Sequence, residues 1–372
     1  MRVLLVIGAG PGQGAVPSLI AALRRREWAV LPILSTPAAA SCADLWSSLC
    51  AAPVGFLDAP PAADVALLAP CAVPLPPAVA ALVSHRRAAG VPVVSVPTAS
   101  APARPGPRPA GAAAWEVVPA ALPLLGGGVA PLWLAGPEAV AEAVAAAVTR
   151  PDLAGKGILV TAGPTVEDID PVRFLSNRSS GLMGLSLALS AWRRGAAVTL
   201  VHGPLQVAVP ALPGLEAVPV RSAAQMHQAV LERIAAQAAA ILCAAVADFA
   251  PRQVAAQKIK KTAAGVAEDP TLPLRRTPDI LAALGALPRR PFLVGFAAET
   301  DHVEAHALDK LRRKGCDLLC ANDVTEPGSG FAVATNRITI LARDGSITPL
   351  PLLSKSAAAD CILDRVAAAL AP

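Results

Sequence analysis

Residues 157–184, GILVTAGPTVEDIDPVRFLSNRSSGLMG, concentrate groups suited to holding an anionic substrate. Ile158 to Thr161 is an apolar run that leads into Gly163-Pro164-Thr165, as a buried parallel strand leads into a loop. Asp170-Pro171-Val172-Arg173 and Asn177-Arg178-Ser179-Ser180-Gly181 follow. A helical pattern then runs through Met183, Leu185, Leu187, Leu189 and Trp192 and stops at Arg193-Arg194-Gly195. Ser and Gly at a helix start present backbone N–H groups at the positive end of the helix dipole, which suits phosphate. By spacing alone the stretch is equally compatible with an ordinary βα loop.

Further groups lie downstream. Ile241 to Ala245 reads as a strand that delivers Asp248 from its C-terminal end, the place where open α/β sheets bind ligands. Lys258 and Lys261 sit in a polar stretch, RQVAAQKIKKTAAG, that can close over phosphates as a basic flap or simply be a solvated charge run. Lys310 and Lys314, four apart, share a helix face. Phe296, at the end of an apolar run from Val294 to Ala297, suits either a nucleobase or the core. His302 and His306 make at most half a metal site and read as a solvated face. Cys316 and Cys320 flank a short strand and read as core.

These groups need a scaffold, and 372 residues suffice for two domains with cores of their own. Strand-like runs at Arg2 to Ile7, Val30 to Leu34, Val65 to Ala69 and Val91 to Val96 alternate with helical segments, as in an open parallel sheet. A helix from Glu138 to Val148 closes the first domain, 1–150. Arg150 to Lys156 reads as a linker, and 151–372 form the second domain. The fold class expected is α/β, with two open parallel-sheet domains.

Composition excludes several classes. A hydrophobic fraction of 54% raises the question of a membrane, but the uncharged runs Val65 to Ser84 and Val117 to Pro137 are broken by prolines and do not read as spanning helices. MRVLLVIGAGPGQG breaks into glycines too soon for a signal peptide. A cytoplasmic location is expected, with no membrane partner. Seven scattered cysteines without a CxxC pair argue against disulfides and zinc. A net charge of +5 could suit nucleic acid, but with 3% aromatics, no tyrosine and no basic stripe a small polyanion explains it equally well. The glycines of Gly8-Ala9-Gly10-Pro11-Gly12-Gln13-Gly14 resemble a dinucleotide loop, but Gln13 stands where the third glycine belongs, which weighs against an oxidoreductase. His85, beside Arg86-Arg87, reads as a surface residue.

Thr36-Pro37-Ala38-Ala39 and Ala69-Pro70 resemble motifs of the flavodoxin-like phosphopantothenoylcysteine decarboxylase half of bacterial bifunctional coenzyme A biosynthesis proteins. The reactive pieces differ. Phe56 aligns with the catalytic histidine, Pro97-Thr98-Ala99-Ser100 replaces Pro-Ala-Met-Asn, Ala72 and Pro74 replace the flavin-side Thr and Asn, and no Ala-Cys-Gly flap follows. An FMN-dependent oxidation and decarboxylation needs those groups, so this half is expected to be an inactive, degenerate scaffold; whether it binds FMN is left open.

The second half resembles phosphopantothenate-cysteine ligase over the rest of the chain. The matching blocks are Ala162-Gly163-Pro164-Thr165, Asp170 to Arg173, Ser176-Asn177, Ser179 to Gly181, Ala244 to Asp248, Lys258 to Lys261, Thr277-Pro278-Asp279-Ile280-Leu281, Gly295 to Thr300, Ala321 to Val324 and the late block around Asn336. The resemblance implies a Rossmann-like domain, dimerisation, and amide formation between 4'-phosphopantothenate and cysteine through an acyl-cytidylate, with CTP and Mg2+. The metal ligands are left unassigned. By the resemblance Asn177 would stabilise the acyl-cytidylate, Arg173 would organise the Asn177 loop or its anionic substrate, and Lys258 would clamp the intermediate. Gly163, Ser179, Ser180, Gly181, Ala244, Asp248, Lys258, Lys261, Pro278, Asp279, Ile280, Leu281, Phe296, Lys310 and Lys314 would hold the nucleotide. Three positions depart from the family's pattern: Arg178 for His, Leu182 for Lys and Val166 for Arg. Two other readings stay open: a bifunctional FMN-dependent decarboxylase and ligase, and a regulatory pseudoenzyme partner of an intact homologue.

Overall fold

The computed structural model describes residues 2–7, 16–26, 28–34, 55–56, 65–71, 93–97, 114–117, 130–132, 137–260, 271–299, 303–323, 328–330 and 333–371. Two compact units emerge: 1–155 with 192–196 and 210–215, and the remainder of 156–372.

The first unit carries a seven-stranded sheet in the order β3-β2-β1-β4-β5-β6-β7. Its strands are β1 (Arg2–Ile7), β2 (Ala29–Leu34), β3 (Gly55–Phe56), β4 (Val65–Cys71), β5 (Val93–Pro97), β6 (Ala114–Val117) and β7 (Ala130–Leu132). Every adjacent pair is parallel. Helices α1 (Val16–Arg24) and α2 (Pro137–Val148) pack together, with Ile20, Leu23, Ala139 and Val144 buried. The central order 2-1-4-5-6 is that of a flavodoxin-like sheet, with β3 added at one edge. The glycine run 8–14, the motif segments at 36–39 and 98–100, Ala72, Pro74, His85 and the Pro-rich stretch 98–110 lie outside the described residues.

The segment expected to link the domains is itself ordered. Pro151 to Lys156 is a tight turn in which Leu153 is fully buried, and Asp152 accepts two hydrogen bonds from Arg194 at 2.8 and 2.7 Å. A leucine with a place in the core and a carboxylate with a bidentate partner hold it.

The second unit is built on an eight-stranded sheet in the order β12-β11-β8-β13-β16-β17-β19-β20. Its parallel centre comprises β8 (Gly157–Ala162), β11 (Ala197–His202), β13 (Ala239–Leu242), β16 (Phe292–Glu299) and β17 (Leu318–Asp323). The edge strands are β12 (Leu215–Pro219) on one side, and β19 (Ile338–Ala342) and β20 (Ile347–Pro349) on the other, both antiparallel to their neighbours. The helices are α3 (Leu182–Arg193), α4 (Ala223–Arg233), α5 (Ile280–Gly285), α6 (Val303–Lys314) and α7 (Lys355–Leu370). Burial on both faces explains why Ile158 to Ala162 reads as one apolar run. Leu159, Val201, Met226, Val230, Ala240, Leu284 and Leu293 form one buried cluster beneath the sheet.

The order 12-11-8-13-16-17 reverses direction between β8 and β13. This is the Rossmann-like switch point, where open α/β sheets bind ligands. Three two-stranded ribbons stand off the sheet: β9 (Val166–Asp168) with β10 (Phe174–Ser176), β14 (Phe249–Pro251) with β15 (Leu274–Arg276), and β18 (Thr335–Asn336) with β21 (Leu353–Ser354). Among the described residues no helix is long and apolar enough to cross a membrane.

Candidate functional site

The loops that leave β8 and β13 are stitched to each other. Ala245 donates to the Gly163 carbonyl at 2.9 Å, Thr165 donates back to Ala245 at 3.2 Å, and the Thr161 and Thr165 hydroxyls accept from the amides of Ala244 and Ala247. This bonding ends β13 at Leu242, three residues before the expected end at Ala245. The run AILCAAVA contains no turn former to mark the point, and the neighbouring loop offers the backbone its partners instead. Gly163 makes the turn at φ +76°, where a side chain would meet Leu205 and the Pro204 carbonyl at 3.0 Å.

Two adjoining chambers open over this seam. One, of about 450 Å³, is lined by Thr161, Ala244, Asp248, Arg276, the 277–281 loop, Phe296, Lys310 and Lys314. The other, of about 360 Å³, is lined by Asn177, Ser179 to Gly184, Cys243 to Val246, Asp248, Phe296, Lys310, Asn322, Gly330, Asn336 and Lys355. Ala244, Val246, Asp248, Phe296 and Lys310 belong to both walls. A ligand with an aromatic end and a polyanionic end can therefore lie across both: an aromatic and an apolar loop in the first chamber, and a helix N-terminus with a lysine in the second.

The helix N-terminus is held in place by close packing. Gly181 sits at φ +78°, and a β-carbon there would come within 3.2 Å of the Gly163 backbone. A β-carbon on Gly184 would come within 2.9 Å of the Ala162 α-carbon and the Thr161 carbonyl. The glycines thus let α3 sit directly on the end of β8. On the far side, the Ser329 hydroxyl bonds Asn322, the Gly330 amide reaches Asn336 at 3.4 Å, and the buried Lys355 ammonium donates to the Gly330 carbonyl at 3.1 Å. Burial draws the Lys355 ammonium below the ordinary lysine range, with the neighbouring Cys243 opposing; burial also pushes the Cys243 thiol up to about 12. Cys243 is therefore a neutral wall group rather than a nucleophile.

Residues 153–370 match the DNA/pantothenate metabolism flavoprotein C-terminal domain. The chain belongs to that family. Over 215 residues it is 46% identical to the coenzyme A biosynthesis bifunctional protein CoaBC of Vibrio parahaemolyticus, covering 58% of this chain and 53% of that protein. Against the CoaBC of Bacillus subtilis it is 46% identical over 230 residues, or 62% of this chain and 55% of the relative. The chain thus spans about half the length of the curated relatives it matches. A crystal structure of a CoaBC C-terminal domain aligns with a TM-score of 0.50 and 39% identity, over 59% of this chain and 98% of that one.

The two chambers bring together many, but not all, of the residues singled out in the sequence. Asn177, Ser179, Ser180, Gly181, Ala244, Asp248, Pro278, Asp279, Ile280, Leu281, Phe296, Lys310 and Lys314 line one or both chambers. The Asn177 amide donates to the Ala245 carbonyl at 2.8 Å, which fixes its orientation on the seam. Asp279 caps α5, accepting from Ala282 at 2.9 Å, and its carboxylate also pairs with Lys314, so this acid places both loop and lysine.

Gly163 is a turn beneath the site and lines neither chamber. Lys258 is exposed and also lies outside both linings; Lys261 falls outside the described residues. Arg173 grips Asp170 through Nε at 3.0 Å and through Nη2, which also donates to the Ile259 carbonyl at 2.8 Å. Asp170 in turn accepts from the Ile259 amide at 3.1 Å. The Arg173 guanidinium holds the Asp170 carboxyl well below the usual carboxylate range. Arg173 therefore anchors the Lys258 segment to the β9–β10 ribbon. Cys316 and Cys320 are core, as read from sequence. Arg276, Asn322 and Lys355 were not singled out as site residues. Asn322 and Asn336 do sit in recognised blocks, whereas Lys355 carries no motif.

Proposed function

We propose that the chain is a phosphopantothenate-cysteine ligase of coenzyme A biosynthesis that consumes CTP. Support comes from the pair of chambers sharing Asp248, Phe296 and Lys310, with Asn177 and the α3 N-terminus lining the second. The cytidine lies in the first chamber against Phe296 and the 278–281 loop, and the phosphates point toward Ser179 to Gly181. The carboxylate of 4'-phosphopantothenate attacks the α-phosphorus, and the Pα–O bond breaks to release pyrophosphate. The cysteine amine then attacks the acyl carbon and CMP leaves.

Asn177 donates to charge developing on the acyl-cytidylate, and its bond to Ala245 pre-orients the donor. Lys310 and Lys314 offset phosphate charge. Lys258 approaches from the segment that Arg173 and Asp170 anchor. Among the described residues no three His, Cys, Asp or Glu side chains stand together. That fits a magnesium ion held chiefly by phosphate oxygens, with Asp248 as the protein carboxylate, and such an ion supplies charge neutralisation.

The first unit is proposed to be a scaffold without decarboxylase activity. A second copy of the chain is proposed to cover the apolar side chains exposed on the adjoining ribbons, Val172, Phe174, Phe249 and Leu274.

The test is pyrophosphate release by the purified protein with 4'-phosphopantothenate, cysteine and CTP, beside an Asn177→Ala control and ATP in place of CTP. Release with CTP that disappears in the variant is expected. No release from folded protein would sink the ligase reading. Flavin absorbance in the purified protein would overturn the inactive-scaffold reading of the first unit.

A further inference from the structure

The second chamber contains a cation to which the ligase reading gives no task. Lys355 is the first residue of α7, only 4% exposed, and its side chain lines the chamber that holds Asn177 and the Ser179 to Gly181 turn. Ser354 caps the helix through a 3.2 Å bond from Ala357, and the Lys355 amide donates to the Ala334 carbonyl at 3.0 Å. The backbone at this point is therefore pinned on both sides. The ammonium donates to the Gly330 carbonyl, which orients it in the wall. An ammonium carries a full positive charge, and at this depth its attraction for an anion in the same chamber is little screened by water or salt.

The chamber's other groups suit the same guest. The first turn of α3 presents backbone N–H groups, and Asn322 and Asn336 add side-chain amides. The acidic member of the lining, Asp248, stands on the wall shared with the first chamber. A dianionic or trianionic group seated between α3 and Lys355 thus meets donors on both sides, with the carboxylate toward the rest of the ligand.

We propose that Lys355 binds the β- and γ-phosphates of the nucleotide and neutralises the pyrophosphate as it leaves. This rests on the ligase reading for the orientation of the nucleotide. In the first step a carboxylate oxygen forms its bond to the α-phosphorus, and the bond from that phosphorus to the bridging oxygen breaks. The electron pair departs on the pyrophosphate. Lys355 keeps its proton throughout and meets the charge that appears.

The probes are inorganic pyrophosphate and CMP, the two products that divide the nucleotide between the chambers. Calorimetric titration of the full chain is compared with Lys355→Met, Lys355→Gln and Lys355→Arg. In Lys355→Met the pyrophosphate affinity is expected to fall about 10- to 100-fold, as for loss of a charge-assisted hydrogen bond. CMP affinity should stay within about twofold, because CMP does not reach the lysine, and Lys355→Arg should recover part of the loss. Lys355→Gln keeps a donor for Gly330 without the charge, and should bind pyrophosphate as weakly as the methionine variant. Equal weakening of CMP and pyrophosphate, or unchanged pyrophosphate affinity in the methionine variant, overturns the proposal and leaves the ligase reading standing. A wild-type protein that binds neither probe overturns both.

Discussion

Gly184→Ala tests whether the close seat of α3 on β8 is what aims the helix at the second chamber. A β-carbon added at Gly184 would stand 2.6 Å from the Ala162 β-carbon and 2.9 Å from both the Ala162 α-carbon and the Thr161 carbonyl. Ordinary van der Waals contact begins near 3.4 Å, and two of the three obstacles are backbone atoms of a fully buried central strand. Relief therefore requires α3 to move away by roughly 1 Å, since β8 is fixed by β11 on one side and β13 on the other. Overpacking of this kind costs about 1–3 kcal/mol, or roughly 4–8 °C in melting temperature at 2 kcal/mol for a unit of this size. The first turn of α3 moves with the helix, and a displacement of about 1 Å at a binding group can cost up to about 100-fold.

Differential scanning calorimetry and pyrophosphate titration read the two effects separately. Gly345→Ala is the control: its φ is +90° with nothing within 4 Å of the new β-carbon, in the β19–β20 turn. It should cost about 1–2 kcal/mol of backbone strain and leave pyrophosphate affinity alone. A Gly184→Ala protein that melts with the wild type would refute the close packing. One that melts early but binds pyrophosphate normally would refute the link from packing to site.

Asn177→Ala removes an exposed amide that donates to the Ala245 carbonyl, so stability should change by no more than about 1 kcal/mol. The ligase rate should fall about 100-fold or more, and an unchanged kcat would remove Asn177 from the chemistry. Asp170→Asn loosens the grip on Arg173 and Ile259, so trypsin should cut faster after Arg252, Lys258 or Lys260; unchanged digestion at pH 8 would show that other contacts hold the segment. Asp317 is partly buried, which opposes its ionisation, but the Arg290 pair and the Leu293 amide overcome that and hold its carboxyl below the usual range. Its folded value being depressed, the stability it contributes is full above about pH 4 and is lost as pH falls through the lowered value. Asp317→Asn should cost about 2 kcal/mol at pH 7 and flatten the acid side of the stability curve, as followed by urea melts from pH 7 to pH 3.

Legibility followed distance along the chain. The Ser179 to Gly181 turn, the 277–281 loop and the strand ahead of Gly163 are each made by neighbouring residues, so their chemistry shows in short blocks, and β1 and β8 were visible as apolar runs bounded by charge or glycine. The end of β13 was not visible, because its cause is the loop after β8, some 80 residues earlier in sequence. Arg173 was expected to organise its loop or an anionic substrate; its partners, Asp170 and Ile259, become apparent only once the ribbon folds. The burial of Leu153 within 150–156 was not legible because one buried leucine does not make a periodic pattern.

Lys355 is the instructive omission. In LLSKSAAAD it reads as a solvated lysine after an N-cap serine, since lysines are rarely buried. Yet a cation at the first position of a helix sits at the positive end of the dipole, where it is disfavoured, and the first turn of α7 contains no acid to offset it. Local rules are broken most often where a site needs them broken. The proposed role of Lys355 toward pyrophosphate gives this broken rule a physical reason.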